Sequence, residues 1–111
     1  MVTIKNTKIK KEITDKVLEF GRLLEKGGLP VEKLFIFGSY AKNTERLGSD
    51  IDVAVISPNF GNDLIDEMQF LFKKRRNVDA LIEPYPLSPE EFENGFSPIV
   101  SEIRKYGIQV T

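Results

Sequence analysis

The stretch FGSYAKNTERLGSDIDVAV, residues 37–55, sets Asp50 and Asp52 one residue apart at the head of an apolar run, with Gly38-Ser39 upstream. A strand entering a core normally leaves carboxylates out, because a buried unpaired charge is expensive or neutralises itself by a pKa shift. Alternate side chains of a strand share a face, so the two carboxylates would project together from alpha carbons about 6.5 to 7 Å apart. A pair of that kind can share a hard divalent cation with oxygen ligands. Magnesium is the best match, since it keeps waters and is completed by a substrate's phosphates. The plainer reading is that Asp50 and Asp52 solvate the start of a strand. Gly38-Ser39 favours the metal, because backbone amides, a hydroxyl and a following helix can hold a phosphate where one strand ends.

Composition narrows the chemistry further. The 111 residues, 41% of them hydrophobic, suit one domain over 1–111 with a modest core. There is no cysteine and no histidine. Thiolate nucleophiles, disulfides, imidazole acid-base work and His- or Cys-ligated metals are therefore excluded, and any reaction belongs to carboxylates, hydroxyls, lysine and arginine. Sixteen Lys and Arg against seventeen Asp and Glu give a net charge of -1, so no global field advertises a nucleic-acid or membrane surface. The opening MVTIKNTKIKKEITDK has no apolar stretch fit for a signal peptide, and no run reaches membrane-spanning length, so the cytoplasm is the expected location.

These residues need a scaffold. Ile13, Val17, Phe20 and Leu24 recur at helical spacing between Lys11 and Lys26, and Gly27-Gly28 with Pro30 stops that helix. LFIF, 34–37, reads as a central strand ending at Gly38-Ser39; YAKNTER then allows a turn or two of helix. DIDVAVIS, 50–57, is the second strand. A helix follows, capped by Asn62 or Asp63, with Leu64, Ile65, Met68, Leu71 and Phe72 on its apolar face. NVDALIE, 77–83, reads as a third strand with Asp79, Leu81 and Glu83 on one side. SPEEF and SPIVSEIRKYG both open with the Ser-Pro of a helix start, and IQV either adds an edge strand or trails off. The outcome is an α/β (α+β) fold: a small mixed sheet of three to four strands with helices packed on it.

Gly-Ser, ten residues, then Asp-x-Asp resembles the nucleotidyltransferases of the DNA polymerase beta superfamily, and among them the minimal nucleotidyltransferases. The similarity runs from the leading helix through LFIFGSYAK, GSDIDVAVIS and VDALIE to IRKYGIQV. It implies that a nucleoside triphosphate, ATP being the expected donor, gives its nucleotidyl group to a hydroxyl while pyrophosphate leaves. By matching position, Asp50 and Asp52 would bind two magnesium ions. Asp79 on the neighbouring strand would be the third ligand and would help deprotonate the acceptor, while Gly38 and Ser39 would hold the distal phosphates. Two ions about 4 Å apart can stabilise entering and leaving oxygens together. Asp79 can also be an ordinary strand polar residue, and Glu83 on the same face is its rival.

Lys42, one helical turn beyond Ser39, either reaches the triphosphate or stays solvated; Tyr40 stacks on a base or packs, and Arg46 serves phosphate or solvent. The family usually places glycine where this chain has Asn43, so the backbone there must accept a non-glycine residue. KKRR, 73–76, tempts a nucleic-acid reading, but cations at a helix's carboxyl end complement its dipole and the net charge is near neutral, so nucleic acid is an unfavoured partner. So small a domain leaves the acceptor site to another chain or a second copy of itself; the resemblance implies a small helical HEPN-type protein, as in a toxin-antitoxin pair. AMP would pass to a tyrosine, serine or threonine of that partner, with small-molecule hydroxyls second. The alternative from a different class is a non-catalytic antitoxin-like module that acts by contact, with a weak or vestigial nucleotide site.

Overall fold

A computed structural model describes residues 9–111 of the chain. The elements run α1 (Lys11–Lys26), β1 (Lys33–Phe37), α2 (Ser39–Lys42), β2 (Ile51–Ile56), α3 (Leu64–Arg75), β3 (Ile82–Leu87), α4 (Pro89–Asn94), α5 (Pro98–Tyr106) and β4 (Ile108–Gln109). They form a four-stranded mixed sheet in the order β3-β2-β1-β4. β1 is antiparallel to β2 and β4, whereas β2 and β3 are parallel and joined through α3, the crossover that parallel neighbours require. This is the expected mixed sheet of a nucleotidyltransferase fold, and IQV supplies its last edge strand.

Both faces of the sheet are covered, which explains why β1 and β2 are apolar on both sides. On one face Leu34, Ile36, Val53, Val55 and Ile82 meet Val17, Phe20 and Leu24 of α1 and Leu71 of α3. On the other, Phe35, Phe37, Ala54, Ile56 and Leu87 meet Phe92 of α4 and Val100 and Ile103 of α5. Each large side chain fully buried here stabilises the fold by about 1.5 to 3 kcal/mol. The helix ends follow local rules. Asp63 accepts from the Asp66 amide, Ser97 accepts from the Val100 amide, and Ser88 with Glu91 forms a reciprocal capping box.

Two expectations change. Leu64 and Ile65 are exposed, so α3 packs through Leu71 and the partly buried Met68 and Phe72 rather than by its whole apolar stripe. More consequentially, the third strand is not 77–83 but Ile82–Leu87, the proline-bearing stretch IEPYPL. The amide of Ile51 donates to the Leu81 carbonyl and that of Ser57 to the Leu87 carbonyl. The odd-numbered positions of β3 therefore face β2, and Pro84 and Pro86 place their missing N–H groups on the outer edge. Residues 76–81 are spent on the turn that ends α3, where the amides of Val78 and Asp79 both donate to the Arg75 carbonyl.

Candidate functional site

β1 ends where β2 begins, because the two strands are antiparallel, and Phe37 lies across from Asp52. Asp52 shares its face of β2 with Ala54 and Ile56, the face covered by α5. Its partner in register on the parallel side is Glu83, which shares its face of β3 with Tyr85 and Leu87. Asp52 and Glu83 therefore stand side by side on adjacent strands. Asp50, one residue ahead of β2, is exposed at the mouth of this pair.

The turn after β1 is shaped around Asp52. Gly38 has φ 71° and ψ -147°, a region essentially confined to glycine, and a Cβ built there would overlap the Asp52 Oδ2. The position needs glycine for its backbone and for the carboxylate that lies against it. Ser39 then opens α2, whose Lys42 amide donates to the Gly38 carbonyl at 3.1 Å. The helix is a single turn of four residues, so its dipole is slight, and an anion would rely on amides and the Ser39 hydroxyl. Asn43 closes the turn in the left-handed conformation, φ 61° and ψ 37°, one that asparagine tolerates. Asn43 thus adopts the left-handed conformation that a glycine would take without strain.

Electrostatically the site is short of positive charge. Burial first, then the charges of Glu83, Asp50 and Glu102, push the Asp52 carboxyl up to about 6 against the opposing charge of Lys42. Lys42 reaches from α2 to α5, where its Nζ lies 3.3 Å from Glu102 Oε2 and 5.2 Å from the centre of the Tyr106 ring. Glu102 and Tyr106 carry no signal in sequence, since only the tertiary fold brings α5 to α2.

Asp79 is corrected. It lies in the turn before β3, where its Oδ1 accepts from the Leu81 amide at 2.7 Å and its Oδ2 meets Lys16 Nζ at 2.6 Å. The Lys16 hydrogen bond, with the Leu81 amide second, holds the Asp79 carboxyl below its usual range. Lys16 belongs to α1, which covers the face opposite to the one carrying Asp52. Residues 77–79 cannot join the sheet because they are hydrogen-bonded back to the end of α3, so the strand neighbour of Asp52 is Glu83.

Among the described residues, no three or more His, Cys, Asp or Glu side chains form a group that could by itself hold a metal ion. The register pair Asp52 and Glu83 could still supply the one or two carboxylates that magnesium takes, its shell being completed by waters and substrate phosphates. Burial and the neighbouring acids raise the Asp52 carboxyl, a strain that a bound cation would relieve. No helix among the described residues is long and apolar enough to cross a membrane.

Comparison with known proteins agrees with this fold. None of the curated proteins matches the chain in sequence. Among solved structures, a toxin-antitoxin with AMP-PNP superposes with a TM-score of 0.55 at 19% identity, over 88% of this chain and 72% of that one. A Sulfolobus solfataricus protein assigned as a nucleotidyltransferase gives 0.56 at 20% identity, over 83% and 85%. A tri-AMPylated Shewanella oneidensis HEPN toxin in complex with MNT antitoxin gives 0.52 at 16% identity, over 89% and 71%. At these identities the likeness is one of fold. The model of the nucleotidyltransferase domain matches residues 7–109, nearly the whole length, and the chain belongs to that family.

Proposed function

We propose that the chain transfers AMP from ATP to a hydroxyl of a partner protein, with magnesium bound at Asp50, Asp52 and Glu83. The observation that carries this reading is the in-register pairing of Asp52 with Glu83 beside a turn that only Gly38 can make. Glu83 takes the part that sequence spacing assigns to Asp79, whose carboxylate is already committed to Lys16 and the Leu81 amide.

In this reading Gly38 and Ser39 receive the distal phosphates, and Lys42 adds a point charge to them. Magnesium, when bound, would stabilise the entering and leaving oxygens of the displacement. The Glu83 carboxylate receives the acceptor's proton as its oxygen bonds to the α-phosphorus and pyrophosphate departs. Asp50 is exposed at the mouth of the site, in keeping with completion by a second chain. That neighbours of the same fold include a toxin-antitoxin with AMP-PNP and an AMPylated HEPN toxin bound to its MNT antitoxin supports a small helical HEPN-type partner. A second copy of this chain is the other candidate, and an ATP-consuming reaction of this kind belongs in the cytoplasm.

The test is transfer of α-labelled ATP to a co-purified helical partner, comparing the native chain with Asp52→Asn and Glu83→Gln. The reading expects label on the partner with the native chain and its loss with both variants. Silencing of the partner without label would establish the contact-only module instead.

A further inference from the structure

Among the described residues, Lys42 is a site cation with both a defined position and a present partner. Its Nζ lies 3.3 Å from Glu102 Oε2, with both side chains partly open to solvent, and sits over the Tyr106 ring. Glu102 is not there by chance of a loose chain end. It lies on α5 between Val100 and Ile103, both in the core, so the backbone that carries it is anchored to the sheet. Lys42 in turn is held at the end of α2 by the turn that begins at Gly38.

We propose that Glu102 is a positioning residue that keeps Lys42 in reserve, and that the ammonium exchanges the Glu102 carboxylate for the distal phosphates when a nucleoside triphosphate enters. This rests on the nucleotidyl-transfer reading above. The pair suits such an exchange because a half-exposed lysine-carboxylate contact contributes little net stability, so it is readily given up. A triphosphate offers the same ammonium more negative charge and more acceptor oxygens. Glu102 also places negative charge beside the site, so its carboxylate opposes an incoming polyanion and must be rehydrated when Lys42 leaves it. An empty site arranged in this way disfavours weakly charged occupants. A monophosphate or a nucleoside has too little charge to displace Glu102, whereas a triphosphate does so.

The experiment is calorimetric binding of a non-hydrolysable ATP analogue and of AMP at fixed ionic strength and magnesium. It uses the native chain, Glu102→Gln, Lys42→Ala and the double variant, each first shown by its melting curve to be folded. Glu102→Gln should bind the analogue about two- to fivefold tighter, the range set by a partly exposed ion pair, while AMP binding stays unchanged. In the Lys42→Ala background the same substitution should have no effect, because the exchange has lost its ammonium. No tightening in Glu102→Gln, equal tightening for AMP, or tightening that persists without Lys42 would each overturn the proposal. Failure of the native chain to bind the analogue would instead overturn the nucleotidyl-transfer reading and the exchange with it.

Discussion

Asp52 of β2 and Glu83 of β3 are register partners in a parallel pair, and both face the side of the sheet that α5 covers. Asp79, four residues before Glu83, is instead tied to Lys16 of α1. Transfer activity should therefore separate these acids. Asp52→Asn and Glu83→Gln should each lower turnover at least about a hundredfold, the scale of losing a charge-stabilising group at a reacting centre. Asp79→Asn should keep turnover within about threefold and lower the melting temperature by less than about 5 °C, since the ion pair to Lys16 is lost while the amide oxygen still accepts from Leu81. Steady-state kinetics and thermal melts of the three variants check this.

The raised Asp52 carboxyl makes stability depend on pH with a definite sign. A folded-state value of about 6 against 3.8 means that the folded chain binds this proton more tightly than the unfolded chain does. The stabilising contribution is full below about pH 4 and is lost as pH rises through about 6. In chelator, Asp52→Asn should melt higher than the native chain at pH 7 to 8, and the difference should shrink towards pH 4. Magnesium at pH 7.5 should raise the melting temperature of the native chain and leave that of Asp52→Asn nearly unmoved.

Gly38→Ala should be costly twice over. Its backbone conformation, φ 71°, is unfavourable for alanine by about 1 to 2 kcal/mol. The new methyl would also push the Asp52 carboxylate out of place. Chemical denaturation should show the first effect, and loss of most transfer activity in the protein that remains folded should show the second.

Asn43 makes a milder demand. Asn43→Gly should leave activity unchanged and stability equal or slightly higher, because the left-handed turn is natural to glycine. Asn43→Leu should cost about 1 to 2 kcal/mol, since a larger side chain meets the following carbonyl in that conformation. Denaturant midpoints decide the matter.

What could be read from sequence was what local chemistry determines. The helix from Lys11 to Lys26 has its bounds written in apolar spacing and in the glycines after it, and Gly38, Asp50 and Asp52 stand out because their residue types oppose their setting. The third strand was hidden by its own residues. Pro84 and Pro86 look like breakers until the sheet order shows β3 at an edge, with the proline nitrogens pointing away from β2. Val78 and Asp79 have strand-like neighbours, yet the end of α3 claims their amides. The meeting of Lys42 with Glu102 and Tyr106 crosses from α2 to α5 and has no local signature at all.

The prolines of β3 also govern what can join the molecule beside Glu83. A foreign strand zips onto a sheet by trading N–H and C=O groups along an open rim, and this rim lacks a donor at both of its inner proline positions. The opposite rim, β4, offers only two residues. Growth of the sheet into fibres is discouraged at both ends, and any chain docking beside Glu83 finds no amide donor at Pro84 or Pro86 for its own backbone carbonyls.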